Sequence, residues 1–237
     1  MSRRDTRSLH HAGDSLGTAA SNFDLRSVGL QPQDAESVET KFGVSPEQVE
    51  RDHMISHMLA GIARSPIRDG AVFIGGTALS RTYLPDLRLS EDIDLMARRS
   101  RSEVAPGLTR TFESALARTR GRLTWAPRLE STSGSGPATA VADGRLAVQV
   151  QLLTSEGYLY PFQLHRIEQR YSDVPETQLL TLTQDGFVVA KLAAWADRRA
   201  PRDLYDLWAL AEAGLIGEEG MELYCRTGPT GGLPRPR

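Results

Sequence analysis

The chain has 237 residues, with 40% hydrophobic residues, 24% charged residues and a formal net charge of −2. These values are typical of a globular protein, and the small net charge excludes a uniformly basic surface for nucleic acid. The one cysteine, Cys225, excludes an intramolecular disulfide and suits a reducing compartment. We expect a cytoplasmic protein without a membrane contact, because neither a signal segment nor an apolar run of roughly 18 residues is present.

The first part of the chain contains a polar segment and then a helix signal. Residues 1–43 lack hydrophobic periodicity, which predicts a loosely ordered leader or an arm that binds a partner. A helix is predicted to begin after Ser45, because Ser-Pro-Glu is a typical N-terminal signal. His53 and His57 are four residues apart on this helix, a spacing that suits two ligands of one metal ion. We favour the alternative, two partly exposed polar positions, because surface histidines are far more common than metal ligands.

Strand signals and helix signals alternate in the middle of the chain. The segment AVFI (71–74) predicts a short strand, followed by a turn at Gly75-Gly76 and a helix over 77–84. The segment DIDLMA (92–97) predicts a second strand, in which Asp92 and Asp94 alternate with Ile93 and Leu95. Further elements are a helix over 103–120, a strand within 122–130 and a hairpin over 138–153 that turns at Asp143-Gly144.

The C-terminal part is predicted to be helical. One helix is expected over 183–199 and a second over 202–214, where Gly214 provides the C-terminal cap. An apolar stripe on the second helix predicts an ordinary core face; it consists of Leu204, Leu207, Trp208 and Ala211. The fold class is therefore α+β. A small mixed β-sheet with flanking helices is expected over 44–160. It is followed by a helical part over 161–225, which is expected to complete a functional site with the sheet, and by a disordered tail over 226–237.

Two aspartates on the predicted strand 92–97 suggest a metal site. Asp92 and Asp94 are two residues apart, so their side chains point to the same side of the strand. Two carboxylates on one face repel each other, and a divalent cation relieves that repulsion. Upstream, a glycine pair between a strand and a helix lets the backbone approach a phosphate group. A plain turn and a solvated strand end are the alternative, but the two features in this order favour a phosphate-handling site.

Two motifs of this sequence resemble a known family. A strand, Gly-Gly-Thr, a helix and then RLSEDIDL resemble the signature of the nucleotidyltransferase superfamily with the DNA polymerase β fold. The segment GGTALSRTYLPDLRLSEDIDL is similar in particular to the AbiEii/AbiGii (MenT-like) family of bacterial toxins. The segment KLAAWADRRAPRDLYDLW resembles the C-terminal motif of that family. The resemblance covers about residues 45–215.

The resemblance implies a role for each matching residue. Asp92 and Asp94 would bind Mg²⁺, Lys191 would bind phosphate from the helical half, and Asp203 would face the site from the next helix. The implied nucleotide-binding residues are Gly75, Gly76, Thr77, Arg88, Ser90 and Arg202.

The resemblance also implies an activity and partners. The activity is Mg²⁺-dependent transfer of a nucleoside monophosphate from an NTP to an RNA acceptor, with the 3′ end of tRNA expected. The enzyme would be a toxin opposed by a cognate antitoxin. A local patch of arginines would bind the RNA phosphates, and its candidates are Arg98, Arg99, Arg101, Arg198 and Arg199.

The sequence adds one independent argument for Lys191 and departs from the family at one position. Only two of the 28 basic residues are lysines, and Lys191 lies in an apolar helix segment where burying a charge is costly. The superfamily usually carries a third carboxylate on a later strand, but here that strand offers Gln149 and Gln151. Glutamine is not a general base, so Asp203 is the nearby candidate.

Two other functions stay open. One is a nucleotidyltransferase that modifies a small molecule such as an aminoglycoside. The other is a non-catalytic nucleotide-binding module, for which Gln149 and Gln151 argue because neither accepts a proton at neutral pH.

Overall fold

A computed structural model describes residues 29–154 and 160–228 of the protein. Its strands are β1 (Ala71–Ile74), β2 (Asp92–Ala97), β3 (Thr124–Trp125), β4 (Ala138–Ala142), β5 (Leu146–Thr154), β6 (Phe162–Ile167) and β7 (Thr177–Leu182). All seven belong to one mixed sheet with the order β3-β4-β5-β2-β1-β7-β6. The strand β2 is antiparallel to β1 and parallel to β5. The predicted hairpin is confirmed as the antiparallel pair of β4 and β5.

Helices flank the sheet, which confirms the predicted α+β class. They are α1 (Pro32–Phe42), α2 (Pro46–Arg64), α3 (Gly75–Leu79), α4 (Arg101–Leu116), α5 (Gln184–Arg198), α6 (Pro201–Glu212) and α7 (Glu218–Thr227). The helix α2 packs against α4, and α5 packs against α6 and α7. The Ser45 side chain and Gln48 form a capping box that fixes the start of α2. Among the described residues, we find no helix long and apolar enough to cross a membrane.

The register of the central strands decides which side chains share a face. Ile93 pairs with Val150 and Leu95 with Leu152, and all four side chains are buried in the main core. Because successive side chains on a strand alternate, the residues between them point to the opposite face. Asp92 therefore lies beside Gln149 and Asp94 beside Gln151. This pairing confirms the prediction that two glutamines occupy the strand next to the aspartates.

The structure corrects the predicted ends of the domains. The prediction of a loosely ordered leader is wrong for its last part. Pro32–Phe42 forms α1, and Val38 is buried in a cluster with Val49 of α2. Residues 1–28 lie outside the described residues. The expected helical part over 161–225 begins with two strands, β6 and β7, because β7 pairs with β1 at Phe73 and Thr181 and so extends the main sheet. The predicted tail begins too early, since α7 continues to Thr227; residues 229–237 lie outside the described part.

Two local predictions are also wrong. The Gly75-Gly76 pair is the first turn of α3 rather than a turn before a helix over 77–84, and α3 ends at Leu79. The stripe predicted as a core face of α6 is largely outside the core. Leu207 is buried, but Leu204 and Trp208 are 50% and 53% exposed. The buried face of α6 instead carries two aspartates, Asp203 and Asp206, and their partners explain this reversal below.

Candidate active site

A small polar cavity lies where β2 begins, and it contains most of the predicted site residues. Its volume is about 240 Å³. It is lined by Gly75, Gly76, Arg88, Ser90, Asp92, Asp94, Pro137, Gln149, Gln151, Lys191, Arg198, Arg202 and Asp203. A larger groove of about 660 Å³ lies between α2 and α4, but among the described residues that line it Glu103 is the only one with a carboxylate. The chemistry of the lining side chains, rather than the volume, therefore makes the smaller cavity the candidate active site.

The environment of the cavity disfavours the ionised forms of Asp92 and Asp94. Burial raises the pKa of Asp94 to about 6; the Asp92 carboxylate adds to this rise, and the charges of Lys191, Arg198 and Arg202 oppose it. Burial also raises the pKa of Asp92, against the charge of Arg202. The pair is thus held in a place that disfavours its negative charge. A divalent cation between the two carboxylates would remove that penalty, so the residues fit a metal site.

The raised pKa of Asp94 makes a prediction about stability. Between about pH 4 and pH 6 folded Asp94 keeps a proton that the unfolded chain has released, so its carboxylate destabilises the fold progressively as pH rises through this window. We expect Asp94→Asn to be more stable than the wild type at pH 7.5 without divalent metal, by on the order of 2 kcal/mol. The difference should shrink towards zero near pH 4. Denaturant unfolding in EDTA at several pH values measures it, and a less stable Asp94→Asn at pH 7.5 would contradict it.

Gly75 brings the backbone directly against the aspartates. Its φ of +80° is one that residues with a side chain rarely adopt, and a Cβ at this position would lie 2.1 Å from Asp94 Oδ2. A Cβ on Gly76 would lie 3.0 Å from an Arg88 nitrogen. The absence of a side chain at Gly75 therefore lets the Asp94 carboxylate lie directly against the backbone. That the glycine pair also admits a phosphate group stays a prediction.

Gly75→Ala is expected to abolish activity, and a second glycine provides the matched control. Gly144, in the turn between β4 and β5, has a φ of +67° and open space around the position of a Cβ. Both substitutions carry the strain of a positive φ, about 1 kcal/mol, but only Gly75→Ala displaces the Asp94 carboxylate. We expect a loss of activity of at least about a hundredfold in Gly75→Ala and near wild-type activity in Gly144→Ala. Equal activity of the two variants would show that the close approach at Gly75 is unimportant.

Two buried aspartates of α6 hold the cations of the cavity. Lys191 Nζ lies 2.6 Å from Asp206 Oδ2 and 3.5 Å from Asp203 Oδ1. Arg88 donates to both oxygens of Asp206, at 3.0 and 3.1 Å. Arg198 donates to both oxygens of Asp203, at 2.6 and 2.8 Å. Each aspartate thus fixes Lys191 and one arginine, which explains why α6 turns its acidic face inward.

These contacts change the role expected of Asp203. Burial acts to raise its pKa, but the hydrogen bond from Arg198 and the charges of Lys191 and Arg198 outweigh burial and lower it. A carboxylate held by two cations is a poor proton acceptor. Asp203 is better described as a positioning residue than as the general base. Among the described residues that line the cavity, the other carboxylates are Asp92 and Asp94.

Asp203→Asn separates the two roles. For a positioning residue we expect transfer to slow by up to about a hundredfold, with the acidic side of the rate–pH profile unchanged. For a general base, transfer would be nearly eliminated and the acidic side would be lost. Single-turnover rates at saturating NTP between pH 5.5 and 8.5 make the comparison. The exposed neighbour Asp197→Asn is the control and should behave as the wild type.

The remaining predicted residues divide into those that line the cavity and one that does not. Ser90 and the exposed Arg202 line it. Thr77 is buried and donates its hydroxyl hydrogen to the Asp92 backbone carbonyl, so its side chain supports the aspartate strand rather than a phosphate.

The predicted arginine patch is not one surface. Arg198 lies in the cavity, whereas Arg101 donates to the backbone carbonyls of Leu129, Leu152 and Thr132 and so has a structural role. Arg98 follows β2 at the end opposite Asp92 and lies over the Phe162 ring. The sequence signal that could have placed Arg198 in the site is its spacing of seven residues, or two helical turns, after Lys191 on the same helix.

Comparisons with known proteins show the family to which the chain belongs and a structure of similar fold. The sequence model of the family described as nucleotidyl transferase AbiEii toxin, type IV TA system, matches residues 57–228. Among solved structures, the chain is similar to MenT4, a nucleotidyltransferase toxin from Mycobacterium tuberculosis H37Rv, with 20% sequence identity and a TM-score of 0.61. That similarity covers 82% of this chain and 73% of MenT4. An antigenic nucleotidyltransferase-like protein from Paracoccidioides brasiliensis gives 10% identity and a TM-score of 0.43 over 71% of this chain and 80% of its own. No curated protein matches the chain.

A mixed sheet with paired aspartates beside a glycine pair defines the protein as a nucleotidyltransferase. The chain belongs to the AbiEii family of nucleotidyltransferase toxins of type IV toxin–antitoxin systems. This confirms the resemblance found in the sequence. Membership implies an NTP substrate and an antitoxin that opposes the toxin.

Proposed function

We propose that the protein transfers a nucleoside monophosphate from an NTP to an RNA acceptor, the 3′ end of a tRNA, in a reaction that requires Mg²⁺. The observation that carries the proposal is the composition of one cavity. It combines two carboxylates with raised pKa values, Asp92 and Asp94, with a lysine and arginines that α6 holds in place. Carboxylates for a metal ion and cations for phosphate oxygens are the two requirements of this chemistry.

The residues of the cavity have complementary tasks in the transfer. Asp92 and Asp94 would hold Mg²⁺, which when bound neutralises the negative charge of the phosphate oxygens. Lys191, Arg88 and Arg198 would bind the triphosphate and the departing pyrophosphate. The acceptor hydroxyl oxygen forms a bond to the α-phosphorus while the bond to the pyrophosphate oxygen breaks, and the hydroxyl proton passes to solvent.

The absence of a third carboxylate on β5 is compatible with this reaction. Positioning and electrostatic stabilisation supply most of the catalysis in phosphoryl transfer, so a strong protein base is a smaller requirement. Gln151 donates its side-chain amide hydrogen to the Ser135 backbone carbonyl. The Gln151 amide therefore connects β5 to the loop before β4. Because the amide is uncharged, the negative charge available to a metal ion comes from Asp92 and Asp94.

The surface beside the cavity supports a single-stranded nucleic acid as acceptor. From Arg202 at the cavity, the exposed side of α6 continues to Tyr205 and Trp208, which are 42% and 53% exposed. The centroids of the two rings lie 5.4 Å apart. Exposed aromatic rings next to a cation are suited to stacking with unpaired bases and binding their phosphates, and the 3′ end of tRNA is single-stranded. Both NTP and tRNA are found in the cytoplasm, where we place the protein.

Labelling with radioactive nucleotides tests the proposal. The protein is incubated with Mg²⁺, total RNA and each of the four NTPs labelled at the α-phosphate. We expect label on RNA of tRNA size, and no label when Mg²⁺ is replaced by EDTA. Label on an added small molecule such as an aminoglycoside, but not on RNA, would favour the small-molecule enzyme. Binding of NTP without any transfer would favour the non-catalytic module.

A further inference from the structure

Two histidines and one aspartate converge at a point outside the active site. His53 and His57 lie one turn apart on α2, and Asp173 lies between β6 and β7. The two Nε2 atoms are 3.2 Å apart. Asp173 Oδ2 lies 3.1 Å from His53 Nε2 and 3.2 Å from His57 Nε2. These three atoms therefore form a nearly equilateral triangle.

The triangle has the size of one face of a zinc tetrahedron. Zinc binds histidine nitrogen and carboxylate oxygen at about 2.0–2.1 Å, so two ligands at the tetrahedral angle lie about 3.3–3.4 Å apart. Two imidazoles and one carboxylate are a typical donor set for zinc, whereas Mg²⁺ prefers oxygen ligands. We propose that His53, His57 and Asp173 form a zinc-binding site, separate from the Asp92 and Asp94 centre.

The position of Asp173 is fixed by contacts that do not involve the histidines. Asp52, which precedes His53 on α2, accepts hydrogen bonds from Arg170 at 3.0 Å and from the Tyr171 hydroxyl at 2.9 Å. Arg170 and Tyr171 lie three and two residues before Asp173 and attach its segment to α2. The site is thus preorganised before metal binds, and a bound ion would fasten the β6–β7 segment to α2 more tightly.

The histidines are in a suitable state, and the site is accessible. Burial lowers the pKa of both, that of His53 to about 4, so both imidazoles are neutral at pH 7. His53 is fully buried, whereas the side chains of His57 and Asp173 are each 11% exposed. His57 also lines the 660 Å³ groove between α2 and α4. The groove gives an ion a route to the site and space for a water molecule as fourth ligand.

One neighbouring residue competes with the metal. Arg120 Nη2 lies 3.2 Å from His53 Nδ1, and because arginine only donates, metal-free neutral His53 carries its proton on Nε2. Metal binding at Nε2 requires the proton to move to Nδ1, where it would face Arg120. The guanidinium must then turn towards Glu50, whose carboxylate already lies 3.7 Å away. Arg120 therefore weakens zinc binding without blocking it.

Zinc titration of the full chain in millimolar Mg²⁺ tests the site. Asp94→Asn serves as a second background, because it disables the other candidate metal centre. We expect one zinc ion per chain in both backgrounds and a higher melting temperature with zinc than without it. His57→Gln and Asp173→Asn should lose both effects. His165→Gln, at a histidine on β6 outside the cluster, is the matched control and should keep them.

Arg120→Gln provides a second test, because this change raises zinc affinity only if the cluster binds zinc. The amide oxygen can accept the Nδ1 hydrogen of metal-bound His53, so zinc affinity should increase by about tenfold. The absorption spectrum of the cobalt-substituted wild type reports tetrahedral coordination, even if a ligand variant fails to fold. Wild-type protein that binds no zinc, or His57→Gln and Asp173→Asn that bind it equally well, would overturn the proposal. The three side chains would then form only a hydrogen-bonded cluster.

Discussion

Asp92→Asn or Asp94→Asn is expected to reduce nucleotide transfer by at least about 10³-fold while the fold survives. Asparagine keeps the shape of each side chain but removes a charge on which metal binding depends. The fold should tolerate the change, because burial raises the pKa of both carboxylates and their negative charges are therefore unfavourable in the folded state. Transfer rates at saturating NTP and Mg²⁺, together with circular dichroism, measure the two parts of the prediction.

A surface aspartate controls for the effect of charge alone. Asp69 is 59% exposed. It precedes the start of β1, which pairs with the end of β2 at Ala97, and so it lies far from the paired aspartates at the start of β2. Asp69→Asn should transfer nucleotide at the wild-type rate. Near wild-type activity in Asp92→Asn and Asp94→Asn would show that the cavity is not the catalytic metal site. Unfolding of both variants would instead assign the pair a structural role.

Lys191→Met is expected to lower the transfer rate by about 10²–10³-fold. The side chain is buried in the cavity, and its ammonium group is the cation nearest to Asp206. The sequence alone predicts that methionine leaves the protein at least as stable, because a buried charge is removed. The contacts reverse that expectation. Removing Lys191 leaves Asp206 with Arg88 and Asp203 with Arg198, so each buried carboxylate loses one of its cations and stability should fall by about 1–3 kcal/mol.

A double variant separates the two effects of Lys191. In Lys191→Met/Asp206→Asn the buried charge balance is restored, so stability should recover most of the loss. The transfer rate should stay low, because the phosphate-binding ammonium group is still missing. Recovery of the rate together with stability would show that Lys191 acts only through the fold.

The paired aspartates could be found from the sequence because the signal is local. Alternation of polar and apolar residues over 92–95 places Asp92 and Asp94 on one face whatever the rest of the chain does. The alternation of 146–152 likewise put Gln149 and Gln151 on one face, and the parallel pairing of β2 with β5 then brought them beside the aspartates. Predictions that rest on side-chain alternation within one strand therefore agreed with the structure.

The ion pairs between the aspartates of α6 and the basic residues of the cavity could not be predicted in the same way. Asp206 binds Arg88, which is 118 residues away in the chain, so its burial depends on a distant partner. A helix pattern alone suggests that Leu204 and Trp208 face the core and that the aspartates face water. The opposite holds because α6 turns its carboxylates towards Lys191, Arg88 and Arg198. Electrostatic pairing here outweighs the hydrophobic pattern.

Parallel transfer assays with NTP labelled at the α- or the γ-phosphate test the central claim most directly. The wild type should place the α-label, and no γ-label, on the 3′ end of RNA and release one pyrophosphate for each nucleotide added. Asp94→Asn should transfer neither label. Transfer of the γ-label would identify a phosphate rather than a nucleotide as the group moved. Transfer of the α-label by Asp94→Asn at the wild-type rate would contradict the assignment of the Asp92 and Asp94 cavity as the catalytic centre.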